Sequence, residues 1–174
     1  MLAFLDKILG LPAHPLLVHA AVVLVPLAAI GTIVIAFWPK ARARVGWIVA
    51  AIGIIGFFFA FFAKESGEAL LETTRVTQLV KDHAEMGDWG MIGAFLVGGS
   101  ATSIMLFDTF VRWREARGEP ELSITRPLRS MIGVFAVVLS IFGTVMVINV
   151  GHSGAKATWD SNATTSPTVP YSKE

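Results

Sequence analysis

The sequence predicts an all-α integral membrane protein, a four-helix up-down-up-down bundle with both termini on the outer side of the membrane. Hydrophobic residues make up 54% of the 174 residues, charged residues make up 16%, and mean hydropathy is +0.66. A chain this apolar is unlike an ordinary soluble domain. Four apolar runs are also long enough for a hydrocarbon core of ~30 Å, which takes about 20 helical residues to cross.

The predicted bundle domain covers residues 15–159, and its four spans are residues 15–38, 45–63, 89–111 and 131–150. Residues 1–14 carry several apolar side chains without a basic start or a small-residue cleavage site. They therefore predict an amphipathic segment on the outer surface, not a cleaved signal peptide. Residues 160–174 are rich in Ser, Thr and Pro, which predicts a flexible extracytoplasmic tail.

The segment between the second and third spans, residues 64–88, predicts an extended outer hairpin. It lacks proline and keeps an apolar stripe among its charges. We expect both helices to continue above the membrane and to turn between Thr73 and Thr77.

Small residues mark the faces on which these helices should pack, because apolar surface gives no advantage between helices in lipid. They are Gly53 and Gly56 in the second span, Gly90, Gly93, Ala94, Gly98 and Gly99 in the third, and Gly133 and Gly143 in the fourth. Pro26 should bend the first helix.

The distribution of basic residues predicts the orientation. The two loops on one side hold Lys40, Arg42, Arg44, Arg112, Arg114, Arg117, Arg126 and Arg129. The positive-inside rule places these loops in the cytoplasm and both termini outside. Asp108, the one acid within a span, lies one turn before Arg112, so an interfacial ion pair is expected there.

Several classes of function lack support in the sequence. There is no cysteine, which excludes thiolate metal sites, iron–sulfur clusters held by this chain and covalent haem attachment. No nucleophile–base pattern or nucleotide fingerprint occurs. An enzyme is therefore the less favoured interpretation. With a net charge of +1, the expected partner is the lipid bilayer and not a nucleic acid.

All four histidines fall where predicted spans meet the outer surface. His14 and His19 lie at the start of the first span, His83 before the third and His152 after the fourth. His19 shares a helical stripe with Val22, Val23 and Pro26, so it is predicted to face the bundle. Gly151 and Gly154 flank His152, which could let the chain turn back over the mouth of the bundle.

The resulting hypothesis is a cofactor site at the outer end, with His19 and His83 as primary ligands. His152, His14 and Glu68 would be secondary metal ligands, Glu68 belonging to an acidic stripe with Glu65 and Glu72. Nitrogen and oxygen ligands suit zinc, copper or iron, and two histidines could hold haem b axially. Taken singly, His14 is better explained as a helix-mouth residue and the glutamates as a solvated face.

The segments around the histidines resemble a widespread bacterial family. They are Ala13-His14-Pro15-Leu16-Leu17-Val18-His19, Glu65-Ser66-Gly67-Glu68, His83, and Gly151-His152-Ser153-Gly154 with the residues up to Trp159. The family is known as a domain of unknown function, a predicted four-helix inner-membrane protein. Some members are joined to Rieske or cytochrome c domains, so the resemblance implies work near the respiratory chain.

Two hypotheses for function remain open. The first is a respiratory membrane protein that carries haem b or a transition metal and meets respiratory complexes, cytochromes or Rieske proteins. The second is a cofactor-free accessory or assembly subunit of a respiratory complex. No motif supports a third hypothesis, a membrane enzyme.

Overall fold

The computed structural model describes residues 7–8, 10–120, 122–160 and 167–169. A two-residue antiparallel ladder, β1 (Lys7–Ile8) with β2 (Leu11–Pro12), precedes five helices. The helices are α1 (Ala13–Phe37), α2 (Pro39–Leu71), α3 (Gln78–Glu85), α4 (Gly87–Ala116) and α5 (Thr125–Trp159). The predicted all-α membrane bundle is confirmed, because four helical stretches are long and apolar enough to cross a membrane. Most of residues 1–14 and of 160–174 lie outside the described residues.

The four long helices run up and down in sequence order. α1 packs against α2 and α5, and α4 packs against α5 and α2. The connection between α1 and α2 is the single extended residue Trp38, after which Pro39 begins α2. Proline suits a first helical position because the N–H that it lacks would have no helical partner there. The predicted basic loop at residues 39–44 is therefore the first turn of α2.

The hairpin between α2 and α4 has the predicted outline with one difference. α2 has 33 residues, about 50 Å of helix, so it extends past a hydrocarbon core of ~30 Å. The chain turns after Leu71 and re-enters a helix at α3, where the Thr77 side chain accepts a hydrogen bond from the Val80 N–H. α3 is a separate short helix that ends at Glu85, before the apolar part of α4 begins.

Pairs of glycines allow the helix backbones to approach closely at two places. A Cβ added to Gly93 would lie 2.5 Å from the Gly143 carbonyl oxygen, and one added to Gly53 would lie 2.8 Å from the Gly98 Cα. Backbone-to-backbone contact at both places confirms the predicted use of small residues. Gly99 differs, because nothing lies within 4 Å of a Cβ built there.

The buried side chains form three apolar clusters stacked along the bundle, around Ile35, Val25 and Leu17. Large apolar side chains cover the outside, including Val23, Ile30 and Phe135, which are more than half exposed. An apolar exterior over a core rich in alanine and glycine fits a protein surrounded by lipid. We call the end of the bundle that holds His14 the histidine end, and the end that holds Asp108 the arginine end.

Candidate metal-binding site

His14, in the first turn of α1, is anchored to the neighbouring helix. Its Nδ1 lies 2.7 Å from the Ala63 carbonyl oxygen of α2. A carbonyl oxygen can only accept a hydrogen bond, so Nδ1 carries the proton and donates. Nε2 of the neutral ring therefore keeps its lone pair.

His83, in α3, is anchored in the same manner to α5. Its Nδ1 lies 2.9 Å from the Ser153 Oγ, and that hydroxyl donates its own proton to the Val150 carbonyl oxygen at 2.8 Å. Because the serine proton is already used, the Ser153 oxygen acts as the acceptor and His83 Nδ1 as the donor. In this tautomer Nε2 of His83 is the unprotonated nitrogen and keeps its lone pair.

The two imidazoles lie next to each other at the histidine end. The ring centroids of His14 and His83 are 6.1 Å apart and the ring planes meet at 68°, an edge-to-face arrangement. Residues from α1, α2, α3 and α5 are thus joined through two rings. His83 was predicted to belong to the site, whereas His14 was predicted to be secondary.

Two glycines make room for these rings. A Cβ on Gly67 would lie 2.9 Å from both Cε1 and Nδ1 of His14, and a Cβ on Gly154 would lie 2.9 Å from Cε1 of His83. Real side-chain carbons do not approach this closely, so a larger residue at either position would displace the ring. The ring positions therefore depend on glycine at 67 and 154.

The electrostatic setting of His83 favours its neutral form. α3 carries Lys81, Asp82 and Glu85 and precedes the apolar part of α4, so His83 lies outside the predicted span of residues 89–111. Burial lowers the pKa of His83 below its ordinary value of 6.5, the nearby His14 lowers it further, and a hydrogen bond with the Val150 backbone opposes both effects. The neutral imidazole is the form that binds metal ions.

The predicted inward orientation of His19 is wrong. His19 is exposed on the outside of α1, and its Nδ1 contacts the Pro15 carbonyl oxygen of its own helix at 2.5 Å. The buried stripe of α1 instead contains Leu17, Ala21 and Val25. The physical reason is that small residues pack between helices in lipid, while Val22 and Val23 of the predicted inner stripe face outward.

The predicted turn at His152 is also wrong. α5 continues without a break through Gly151 and Gly154 to Trp159, which leaves the His152 side chain exposed. Glycine permits a turn but does not force one, and here Gly154 serves the close approach of His83. The structure therefore places neither His19 nor His152 with the histidine pair.

Glu68 is held by a neighbouring lysine. Lys64 Nζ lies 2.9 Å from Glu68 Oε1 and 3.3 Å from Asp88 Oδ1, which links α2 to the start of α4. Lys64 follows the predicted apolar span of α2, residues 45–63. The hydrogen bond with Glu68 is the largest of the effects that raise the pKa of Lys64. Glu65 and Glu72 are exposed. Among the described residues, no three His, Asp or Glu side chains lie close enough together to hold a metal ion.

A metal ion held here would thus have two protein ligands from this chain. With metal–nitrogen bonds of about 2.1 Å, two imidazoles on one ion have centroids at most about 6.5 Å apart. The observed 6.1 Å between His14 and His83 lies within that limit. A tetrahedral ion, with centroids about 5.3 Å apart, requires the two rings to move closer by about 1 Å.

A signal in the sequence could have identified His14 as the inward residue. Leu17 and Ala21 follow it at helical spacing, and both are buried, so the alanine-containing side of α1 marks the inner face. The contact between Ser153 and His83 could not be predicted from residue spacing, because it depends on how α3 lies against α5.

Comparisons with known proteins agree with the fold. A family model described as a predicted membrane protein, DUF2231, matches residues 10–167. The matched region contains the whole bundle, including all four histidines. No curated protein and no solved structure matches the chain.

Proposed function

Because the chain belongs to the DUF2231 family of predicted membrane proteins, we propose that it is a multi-pass membrane protein that binds a transition-metal ion through His14 and His83. One observation carries this proposal. Each ring donates its Nδ1 proton to an acceptor on another helix, which leaves both Nε2 lone pairs for a ligand. Metal-binding histidines in proteins are usually oriented by this kind of second hydrogen bond.

The donor set favours zinc or copper(II), with iron as a further option. Neutral imidazole suits all three ions, and no thiolate is present to select among them. Two protein ligands leave coordination positions for water or for a group from a partner. Such an open site suits metal transfer or reaction at the ion better than a purely structural role. Haem b, the other cofactor predicted from the sequence, is the weaker candidate because both rings are closely packed.

At the level of the cell, we propose a role beside the respiratory chain in the bacterial inner membrane, with both termini outside. The respiratory role rests on the resemblance to proteins joined to Rieske or cytochrome c domains, and the orientation rests on the basic residues of the arginine end. Single cysteines can test the orientation, because the chain contains none of its own. A membrane-impermeant maleimide added to intact spheroplasts should label Glu72→Cys but not Glu115→Cys, and the reverse pattern would refute the orientation.

The metal proposal is tested by titrating the purified, chelator-treated full chain with Zn²⁺ or Cu²⁺ in neutral detergent, followed by calorimetry. We expect one ion per chain. His14→Gln and His83→Gln should each weaken binding at least about tenfold, and Ser153→Ala should weaken it by about 10-fold to 100-fold through loss of orientation. His19→Gln and His152→Gln are matched controls and should bind as the wild type does.

The outcome that refutes the proposal is equally specific. If His14→Gln and His83→Gln melt as cooperatively as the wild type and still bind the ion with wild-type affinity, the pair is not the site. If either variant unfolds, Ser153→Ala decides the question, because it keeps both rings and removes only an orienting group.

A second candidate is the cofactor-free accessory subunit. The observation that favours it is that the two histidines join α1, α2, α3 and α5. Such a link can hold the hairpin in place without binding a metal ion. The same titration separates the two candidates. An accessory subunit would bind no ion stoichiometrically, and His83→Gln would lower its melting temperature without any metal-dependent difference.

A further inference from the structure

The arginine end contains a charge cluster that the metal proposal does not use. Asp108 of α4 is 6% exposed. Its carboxylate oxygens lie 2.7 Å from Arg112 Nε, 3.6 Å from Arg42 Nη1 and 3.8 Å from Arg129 Nη2. Three guanidinium groups around one carboxylate leave two positive charges in excess. The ion pair predicted between Asp108 and Arg112 is confirmed, and the sequence did not reveal the other two partners.

Arg42 is fixed in this cluster. It is 5% exposed, its Nε donates to the Ile35 carbonyl oxygen at 2.7 Å and its Nη2 donates to the Ala36 carbonyl oxygen at 2.8 Å. These carbonyls lie at the end of α1, where the helix leaves them without helical partners. The guanidinium is therefore a preorganised cation between α1, α2 and α4.

Arg129 of α5 is the incomplete member. Its Nε is buried, yet it has no hydrogen-bond partner among the residues that the structure describes. Buried N–H groups nearly always have an acceptor, because an unpaired one carries a desolvation cost. A cavity of about 10 Å³ beside it is lined in part by Arg42, Arg129 and Phe107, and this volume suits one oxygen atom of a ligand.

The surroundings of the cluster are those of a membrane interface. Trp38, Trp47 and Trp113 are exposed at this end of the bundle, and tryptophan is typical of the headgroup level. A second cavity, of about 70 Å³, lies between α4 and α5, has mostly apolar walls and shares Phe107 with the first. An acceptor oxygen at Arg129 could thus belong to a molecule that also has an apolar part.

We propose that Arg112 and Arg129 bind the phosphodiester group of an anionic phospholipid, with one phosphate oxygen directed at Arg129 Nε and the buried Arg42 contributing its positive charge. Guanidinium groups match phosphate oxygens in geometry and charge. Basic pockets between membrane helices bind acidic lipid headgroups on the same principle. The apolar cavity next to Phe107 favours a lipid over a soluble phosphate, because it can receive the start of an acyl chain.

The test is native mass spectrometry of the full chain in neutral detergent with phosphatidylglycerol, phosphatidylcholine or inorganic phosphate. We expect phosphatidylglycerol to be retained at least about tenfold better than phosphatidylcholine, and Arg129→Gln to reduce its retention about fivefold. Arg129→Lys keeps the charge and should recover part of the loss. Arg117→Gln is the matched control, because Arg117 stacks on Trp113 at 3.8 Å outside the cluster.

Three outcomes would overturn the proposal. Equal losses in Arg129→Gln and Arg117→Gln would mean that general attraction to a basic surface explains the binding. Equal retention of the two lipids would remove the headgroup requirement. Binding of inorganic phosphate that displaces phosphatidylglycerol at millimolar concentration would assign the site to a soluble anion.

Discussion

His14 and His83 meet edge to face with ring centroids 6.1 Å apart, and each ring is hydrogen-bonded to a further helix. The contact joins the beginning of α1 to the short helix α3 of the hairpin between α2 and α4. The two histidines come from distant parts of the chain. Because their Nδ1 atoms make the hydrogen bonds to the other helices, their Nε2 atoms are left for a ligand.

The first prediction concerns the glycine behind His14. Gly67→Ala should weaken Zn²⁺ binding by about tenfold, because the new methyl group would displace the imidazole of His14 from its hydrogen-bonded position. Alanine favours a helix more than glycine does, so the melting temperature should not fall together with the affinity for Zn²⁺. Gly87→Ala is the control, since its Cβ would meet only Lys64 Cγ at 3.7 Å. Unchanged affinity in Gly67→Ala would show that the ring position does not matter.

The second prediction concerns the pH dependence of stability in metal-free protein. The folded state lowers the pKa of His83 from 6.5, so the unfolded chain binds more protons between the two pKa values. Stability should therefore be complete above pH 6.5 and should decrease as the pH falls from 6.5 through the folded pKa. Chemical unfolding at a series of pH values measures this slope.

His83→Gln should remove that part of the pH dependence. His152→Gln, which changes an exposed histidine, should leave the slope as in the wild type. A slope that persists in His83→Gln would assign the titration to another group.

The third prediction concerns the closest contact between α4 and α5. Gly143→Leu should destabilise the bundle by about 1–3 kcal/mol, because even its Cβ would overlap the Gly93 carbonyl oxygen. Gly99→Leu is the matched control within a span and should cost far less, since nothing lies within 4 Å of its Cβ. Unfolding in detergent with increasing dodecyl sulfate compares the two, and similar losses would refute the predicted helix contact.

The fourth prediction concerns the charge at the centre of the arginine end. Asp108→Asn should lower the free energy of unfolding by about 3 kcal/mol, because it leaves the buried Arg42 without its counter-charge. Glu119→Gln breaks the more exposed pair with Arg114 and should cost at most about 1 kcal/mol. The same detergent unfolding assay measures both. A cost for Asp108→Asn no larger than that for Glu119→Gln would contradict a structural role for the cluster.

The sequence by itself determined the number of membrane-spanning helices, the extended hairpin after Ala63 and the ion pair between Asp108 and Arg112. These features depend on local properties: the length of an apolar run, the absence of proline, and a spacing of four residues on one helix. Small side chains also predicted which helix faces pack closely, and Gly53 and Gly98 lie on two of those faces.

Only the tertiary structure decided which histidines meet and which arginines surround Asp108. In lipid, the inner and outer faces of a helix are both apolar, so hydropathy could not show that His14 lies inside and His19 outside. The partners Ser153 and Arg129 come from α5, and their positions depend on how that helix lies against α3 and α4. Such placements follow from the packing of whole helices, which no local pattern in the chain encodes.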